Sequence, residues 1–418
     1  MWSFRRIFAP HNRIERTRAL CLLLVLVSIA LLNLACVSHT AFNTKKEDYL
    51  RTYVTEGSTN TYSIAVIEFD DHGELWNPVQ LQDAVKHIRL QSRNSSNGVV
   101  VVIFIHGWKN NASWNKGRLP WLEREMEKNA EKTKDQLNRP IPFIGVYLGW
   151  RGKASTIPFL KQATFWNRIM AARRVASLSM TETLIKLSYA AATENPKSKS
   201  VVIGHSMGGL ILERTLSHAL VPILMFAEVT DYSPVDLVIG VNSASPAVQT
   251  KQAVESLKRN RARLVVEDGQ GNISKAKGPL MVSITSETDK ATRVIFPFGQ
   301  WFTSLFLRYR DYDDPSVPSQ RMMANHTPGH VPYLHSHSVE VKNGNILIHE
   351  LENRYNDTPY WVMRVPKEII PDHNNLDSPL VDQLFSKLIS MNDIYDPEVK
   401  VRLVTDSSDW GSAPEKED

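Results

Sequence analysis

The sequence predicts an α/β protein built around a doubly wound, mostly parallel sheet. Two observations lead to this prediction. Apolar runs of five to eight residues, rich in Val and Ile, alternate along the chain with segments whose apolar residues recur at helical spacing. Some of these runs, such as residues 99–105 (VVVVIFI), are continuously apolar, which is typical of central parallel strands covered by helices on both faces.

The composition is that of an ordinary globular protein. With 418 residues, 42% of them hydrophobic and 22% charged, the chain can bury one large core or two modest ones. Most of the formal net charge of +5 lies in residues 1–18, which hold five arginines and one glutamate. The charge therefore gives no support to nucleic-acid binding. Both cysteines, Cys21 and Cys36, precede the folded part, so no disulfide is expected within it.

An apolar run of 18 residues, 19–36, follows the arginine-rich segment. This combination is typical of a secretory signal or an N-terminal membrane anchor. The end of the run resembles a bacterial lipoprotein signal, with Ala35 before a lipidatable Cys36, although Asn33 and Leu34 depart from that pattern. Lipidation, an uncleaved anchor and ordinary secretion stay open as alternatives. We expect the protein to be membrane-associated and extracytoplasmic, in the cell envelope.

The chain divides into four parts by composition and pattern. The predicted organisation is a signal or membrane-anchor segment (1–36), a polar tether (37–60), a folded domain (61–392) with an insertion at about 290–358, and a polar C-terminal tail (393–418).

The elements of the predicted domain alternate in type. Ahead of residue 199, the patterns predict strands at 62–69, 99–105 and 143–148 and helices at 79–92, 119–137 and 164–192. Beyond residue 212, they predict strands at 235–241, 280–285 and 360–365 and helices at about 247–258 and 380–389. Strands separated by helices pair in parallel, which gives the doubly wound sheet.

Residues 199–210 (KSVVIGHSMGGL) carry the strongest functional signal. A β-branched run leads into a G-x-S-x-G turn at 204–208, and an apolar stretch follows at helical spacing. This arrangement places the hydroxyl of Ser206 on a tight, strained turn, where side chains at positions 204 and 208 would collide with the flanking helix and strand. The N–H of Met207, at the helix N-terminus, points towards a developing oxyanion.

Three further motifs accompany this turn. HGW (106–108) follows VVVVIFI, TSETD (285–289) follows LMVSI, and DHN (372–374) comes after the last predicted strand. Together with GHSMGG after VVI, they resemble the α/β-hydrolase superfamily, in particular its serine esterases and lipases, over roughly residues 60–392. The resemblance implies an α/β-hydrolase fold and a membrane-associated serine hydrolase. Such an enzyme cleaves carboxylic esters through an acyl-enzyme intermediate, with no cofactor and no metal.

The resemblance also implies roles for individual residues. In this fold a serine nucleophile is followed along the chain by an acid and then by a histidine. Ser206 is the nucleophile, and Met207 and Trp108 supply the N–H groups of the oxyanion hole. For the acid, Asp289 is preferred because aspartate is the commoner acid and the loop has room to turn, while Glu287 stays an alternative.

The base is sought among several histidines. His373 lies after the last strand and before the last helix, where the fold places its base. His337 and then His330, from a histidine-rich stretch at 326–337, are the alternatives. That stretch does not match the spacing of a compact metal site, so no metal is expected. His106 is expected to be a structural histidine.

The chain between residues 285 and 360 is too long for an ordinary loop. Its aromatic-rich part, 294–309, predicts either a lid over the serine that touches lipid or a helix packed on the core. A lid would favour a small-molecule or lipid ester with an apolar acyl group. The alternative function is a non-catalytic envelope protein that binds or scaffolds partners and has kept the α/β-hydrolase fold.

Overall fold

The structure is a computed structural model. It describes residues 21–23, 40–55, 60–137, 140–154, 164–226, 235–260, 262–304, 306–352, 355, 357–396 and 398–404. The predicted signal or anchor segment therefore lies outside the described residues, apart from a few positions.

Helices and strands alternate through the described part of the chain. The helices are α1 (Lys46–Tyr49), α2 (Pro78–Asn94), α3 (Leu119–Leu137), α4 (Phe165–Val175), α5 (Leu178–Glu194), α6 (Met207–Phe226), α7 (Ala247–Arg259), α8 (Phe296–Thr303), α9 (Gln320–Asn325) and α10 (Pro379–Met391). The strands are β1 (Leu50–Val54), β2 (Thr61–Glu68), β3 (Val100–Ile105), β4 (Phe143–Gly149), β5 (Lys199–His205), β6 (Leu237–Val241), β7 (Arg263–Glu267), β8 (Ile273–Lys275), β9 (Met281–Ser286), β10 (His337–Lys342), β11 (Asn345–Glu350), β12 (Tyr360–Val365) and β13 (Lys400–Val404).

A ten-stranded sheet organises these elements. Its order is β1-β2-β4-β3-β5-β6-β9-β12-β10-β11. All neighbours from β2 to β10 are parallel, and the antiparallel pairs β1/β2 and β10/β11 lie at the two edges. The strand order reverses at β3 and β5, which are neighbours in the sheet. The chain passes from β3 to β4 on one side of this pair and from β5 to β6 on the other side. Ligands of open parallel sheets bind at such a point, beyond the carboxyl ends of the strands.

The central strands bury both faces. On β3, Val101, Ile103 and Ile105 pack into the core layer under α2, α4, α5 and α6, whereas Val100, Val102 and Phe104 pack into the layer under α3 and α10. Successive side chains of a strand point to opposite faces, so a continuously apolar strand needs helices on both sides. The predicted fold class, an α/β protein with a doubly wound, mostly parallel sheet, is confirmed.

Part of the predicted polar tether is folded. Within residues 37–60, α1 and β1 form, and β1 pairs antiparallel with β2. The side chain of Asn43, 2% exposed, donates hydrogen bonds to Glu68 Oε1 (3.1 Å) and the carbonyl of Ala112 (2.8 Å). The backbone N–H of Asn43 also donates to Glu68 Oε1 (2.7 Å). The sequence pattern misses this strand because an edge strand lacks the continuous apolar run of a central one.

Two further differences from the prediction are a break within a helix and a strand in the C-terminal segment. The helix predicted over 164–192 is two helices, α4 and α5, separated at Ala176 and Ser177, where Ser177 Oγ donates to the carbonyl of Gly73 (2.9 Å). In the predicted C-terminal tail, β13 pairs with β7 in a small antiparallel sheet, β13-β7-β8. In both places, contacts with distant segments decide the local structure.

The long excursion before β12 has two parts. Its second part, β10 and β11, is a hairpin that extends the main sheet beyond β12. Its first part is a π-helix at Ala291–Ile295 followed by α8, and here Phe296 is fully buried while Val294, Phe298 and Trp301 are exposed. A lid function for this segment stays a prediction.

Candidate active site

Ser206 lies in the turn between β5 and α6, in a left-handed backbone conformation with φ of +58°. This conformation is costly for any residue with a Cβ atom and persists only where the surroundings impose it. Three backbone hydrogen bonds do so. The N–H of Ser206 donates to the carbonyl of Val241 (2.9 Å), and its own carbonyl accepts from Leu210 (3.2 Å) and Ala244 (3.0 Å).

The glycines around Ser206 allow close packing of backbone. A Cβ atom at Gly208 would lie 2.0 Å from the carbonyl oxygen of Ile105 at the end of β3, and one at Gly204 would lie 2.7 Å from the carbonyl oxygen of Gly208. The helix can therefore start directly beside the sheet. Met207 is its first residue, so the N–H of Met207 has no acceptor within the helix.

The turn after β3 packs against this serine. A Cβ atom at Gly107 would lie 2.7 Å from Ser206 Cβ, so only glycine allows the contact. Trp108, the next residue, packs its ring edge-on against Phe165. The two predicted oxyanion donors are thus near Ser206: Met207 is the next residue, at the start of α6, and Trp108 follows Gly107 in the turn that packs against the serine.

His106 is buried beneath this turn. Its Nε2 accepts a hydrogen bond from the N–H of Trp150 (3.0 Å), so Nδ1 carries the proton and donates to the carbonyl of Gly107 (2.9 Å). Burial lowers the pKa of His106 to about 4, so the ring is neutral near pH 7. These contacts describe a structural histidine.

Ser206, His373 and Asp289 form one hydrogen-bonded chain. Asp289 Oδ2 lies 2.8 Å from His373 Nδ1, and His373 Nε2 lies 2.7 Å from Ser206 Oγ. Because an ionised carboxylate only accepts hydrogen bonds, Nδ1 carries the proton. Nε2 is then free to accept the hydrogen of the serine hydroxyl. This arrangement can take a proton from the hydroxyl and return it to a leaving group.

Asp289 is buried and held in place at the start of the helical segment that follows it. Its Oδ1 accepts from the N–H groups of Ala291 (2.8 Å) and Thr292 (3.2 Å), and Oδ2 accepts from Thr292 Oγ1 (2.6 Å). Burial alone would raise the pKa of Asp289. The hydrogen bonds from His373 and Thr292 outweigh burial and hold the pKa below its usual range, so the carboxylate is ionised near pH 7.

The loop that carries His373 is fixed through its carbonyl groups. Each carbonyl from residue 370 to residue 374 accepts a hydrogen bond from a side chain of another element. The donors are, in order, Ser286 Oγ (2.6 Å), Thr288 Oγ1 (2.8 Å), Asn242 Nδ2 (3.4 Å), Asn242 Nδ2 (3.2 Å) together with His205 Nε2 (2.8 Å), and the Arg118 guanidinium. The position of the imidazole is thus determined by side chains that sequence reasoning did not single out as site residues.

Asn242 connects this loop to a second element of the site. Its amide oxygen accepts from the N–H of Ser286 (2.8 Å), at the end of β9, while its amide nitrogen holds the loop of His373. It therefore ties the strand that precedes the acid to the loop of the base. The sequence does carry one signal for this role of Asn242. It is an asparagine directly after a buried strand, and polar residues at the carboxyl ends of parallel strands line ligand sites.

The alternative site residues lie elsewhere. Glu287 Oε1 accepts from the N–H of Lys367 (3.2 Å). His337 stacks on Trp361 with ring centroids 3.7 Å apart. His330 Nε2 lies 3.0 Å from Thr292 Oγ1, and Thr292 rather than His330 contacts Asp289. Of the candidates named for acid and base, the structure brings Asp289 and His373 to Ser206.

A cavity of about 460 Å³ opens beside Ser206 and His373. The apolar and aromatic side chains that line it include Trp108, Trp121, Phe165, Ile295 and Phe296. The polar and charged residues that line it include Lys109, Arg118, Arg124, Asn374 and Asp377. The site thus offers an apolar region and a charged region to one ligand.

The order of these residues on the sheet decides the fold family. Ser206, Asp289 and His373 follow β5, β9 and β12 respectively, all at the carboxyl end of one parallel sheet, with the serine on a strained turn between a strand and a helix. The chain has an α/β-hydrolase fold.

Comparisons with known proteins add weak likenesses to this hydrolase fold. No protein-family model matches the chain, and no curated protein matches it either. Among solved structures, phospholipase PlaB from Legionella pneumophila is 11% identical over 71% of this chain and 60% of that chain, with a TM-score of 0.31. PlaB in complex with thio-NAD is 16% identical over 46% of this chain and 38% of that chain, with a TM-score of 0.24.

A predicted CIB-like hydrolase from Thermoplasma acidophilum is 10% identical over 71% of this chain and 88% of that chain, with a TM-score of 0.27. The chain therefore spans less than two thirds of the PlaB chains that it matches.

Within the described residues, no group of three or more His, Cys, Asp or Glu side chains is arranged to hold a metal ion. Over the same ranges, no helix has both the length and the apolar character that crossing a membrane requires.

Proposed function

We propose that this chain is a serine hydrolase that cleaves carboxylic esters through an acyl-enzyme intermediate. The observation that supports the proposal is the hydrogen-bonded chain from Asp289 through His373 to Ser206, with the serine on a strained turn at a helix N-terminus. Neither the strained turn at Ser206 nor the hydrogen bond from Ser206 to His373 is needed to hold the fold together.

The chemistry follows from the geometry. His373 Nε2 takes the hydroxyl proton as Ser206 Oγ attacks the ester carbonyl carbon, and Asp289 stabilises the imidazolium that forms. The N–H groups of Met207 and Trp108 donate to the oxyanion. His373 then returns the proton to the leaving alcohol as the ester bond breaks. Water, deprotonated by the same imidazole, hydrolyses the acyl-enzyme and regenerates Ser206.

The apolar side chains that line the cavity support an apolar acyl group as substrate. Burying each methylene against such side chains contributes about 0.8 kcal/mol, or about fourfold in affinity. With p-nitrophenyl esters, we therefore expect kcat/KM to rise from acetate through butyrate to octanoate. The Ile295→Ser variant should flatten this rise, because Ile295 lines the cavity.

The neighbouring Val294→Ser variant is the matched control, since Val294 is exposed and is not part of the cavity wall. It should keep the wild-type dependence on chain length. Turnover of every ester at the level of the Ser206→Ala variant would contradict the proposal and favour a non-catalytic binding or scaffolding protein.

We further propose that the protein is held at a membrane, outside the cytoplasm. Residues 1–36, basic and then apolar, support an anchor or lipoprotein signal. Exposed apolar side chains on the segment 294–307 support a second contact with lipid, next to the cavity: Phe298 is 66% exposed, Phe306 98% and Leu307 62%. Lipid substrate would then enter the cavity from the surface to which the enzyme is bound.

A chain that begins at Thr40 tests this location, because it lacks the anchor but keeps the contacts of Asn43. We expect it to leave the membrane fraction while retaining weak binding to lipid vesicles. Phe306→Ser should lower that binding several-fold, whereas Ile273→Ser, an exposed apolar residue on β8, should not. Equal vesicle binding by the two variants would refute the proposed second contact with lipid. A truncated chain that stays in the membrane fraction would refute the proposed N-terminal anchor.

A further inference from the structure

Arg118 is a buried cation in the wall of the cavity that holds Ser206. It precedes α3 directly, and only 9% of the residue is exposed. A guanidinium stays protonated at any physiological pH and carries five N–H donors. Removing such a group from water costs several kcal/mol unless an anion or several acceptors replace the water.

The protein compensates this charge only in part. One guanidinium nitrogen of Arg118 donates to the carbonyl of Asn374. No carboxylate of the described residues lies within 4 Å of Arg118. Asp377, which is paired with Arg124 (3.6 Å), and Asp372 act on Arg118 only at longer range. The guanidinium carbon also lies 5.9 Å from the ring centroid of Trp121. Arg118 lines the cavity, and its remaining N–H groups have no carboxylate within 4 Å among the described side chains.

The position of Arg118 indicates which part of a substrate it would meet. The Arg118 guanidinium donates a hydrogen bond to the carbonyl of Asn374, the residue after His373. His373 is the group that returns a proton to the leaving alcohol. The alcohol part of the ester must therefore lie on this side of Ser206. Apolar lining residues from other elements, Phe165 of α4 together with Ile295 and Phe296, suit the acyl group.

We propose that Arg118 binds an anionic group, a phosphate or a carboxylate, on the alcohol part of the ester substrate. The proposal rests on the proposed function and narrows its substrate class to esters with an apolar acyl group and an oxyanion on the alcohol. A planar guanidinium binds both kinds of anion through paired, charge-assisted hydrogen bonds.

Matched ester pairs test the proposal. One pair is 1-octanoylglycerol 3-phosphate and 1-octanoylglycerol, and the second is the octanoyl ester of 4-hydroxybutanoate and its methyl ester. The wild-type chain should prefer the anionic member of at least one pair, and the two pairs distinguish phosphate from carboxylate. Charge-assisted hydrogen bonds of this kind correspond to about ten- to a hundredfold in kcat/KM.

Arg118→Gln should abolish this preference, and Arg118→Lys, which keeps the charge, should retain part of it. Because Arg118 also supports the loop of His373, both members of a pair can lose activity, so the readout is the ratio of their kcat/KM values. Lys128→Gln removes a charge from the exposed face of α3 outside the cavity and should leave the ratio unchanged. An equal fall for both esters in Arg118→Gln, or the absence of any preference in the wild type, would overturn the anion site.

Binding to the Ser206→Ala variant separates this proposal from the proposed function. Calorimetry should show tighter binding of 1-octanoylglycerol 3-phosphate than of 1-octanoylglycerol, and the difference should vanish when Arg118→Gln is added. Arg118-dependent binding without hydrolysis by the wild type would retain the anion site and refute the esterase. Hydrolysis with a ratio that is independent of Arg118 would retain the esterase and refute the anion site.

Discussion

Replacing Ser206 with alanine is expected to lower ester hydrolysis by about six orders of magnitude while the chain stays folded. Loss of the nucleophile of a serine triad in another hydrolase has this magnitude. The substitution removes one hydroxyl from a strained turn whose backbone hydrogen bonds do not involve that hydroxyl. The measurement is the steady-state rate on p-nitrophenyl octanoate, with circular dichroism and thermal unfolding as checks of the fold.

Ser243→Ala is the matched control for this prediction. Ser243 is buried directly after β6, and its Oγ has no hydrogen-bond partner among the described residues. Removing a buried hydroxyl without a partner costs little stability. We expect nearly wild-type activity from Ser243→Ala. Wild-type turnover by Ser206→Ala would show that the reaction uses another nucleophile.

Replacing His373 with alanine is expected to cause a loss of similar size, because nucleophile and base act as one unit and their losses do not add. The imidazole is the group within hydrogen-bond distance of both Ser206 Oγ and Asp289 Oδ2. The carbonyl groups that fix its loop belong to the backbone, so the substitution leaves the loop in place. The measurement is again the steady-state rate, with the fold checked as for Ser206.

The other histidines give graded comparisons. His337→Ala should keep kcat within a few-fold, since the ring of His337 stacks on Trp361. His330→Ala should cause an intermediate loss, because its ring contacts Thr292, which in turn holds Asp289. A loss of several orders of magnitude at His330 or His337, with His373→Ala nearly unaffected, would transfer the base to the long excursion.

Sequence patterns were sufficient for the central elements of the fold. The strands β3, β4, β9 and β12 are predicted within one residue at each end, because strands buried on both faces need continuous apolar runs. The edge strands β1 and β13 were missed, since half-exposed strands carry no such run and form only where a partner strand is available.

The candidate site divides in the same way. The motif around Ser206 is local, since strand, turn and helix are consecutive, and the positions of Asp289 and His373 follow from the order of strands in the fold. The positions of the residues that hold Asp289 and His373 in place do not follow from the order of strands along the chain. Arg118 and Asn374 are 256 residues apart, and Asn242 and His373 are 131 apart. No spacing rule connects such pairs, because their contact depends on the order of strands across the sheet.

Reaction with a fluorophosphonate tests the central claim most directly. The reagent phosphonylates an activated serine with loss of fluoride, and it requires neither the natural substrate nor knowledge of the acyl chain. We predict a single adduct on the folded wild-type chain, located by peptide mass spectrometry at Ser206, and no adduct on the Ser206→Ala variant. An unmodified Ser206 in the folded chain after prolonged treatment, or an adduct on a different serine, would contradict the assignment of this chain as a serine hydrolase that uses Ser206.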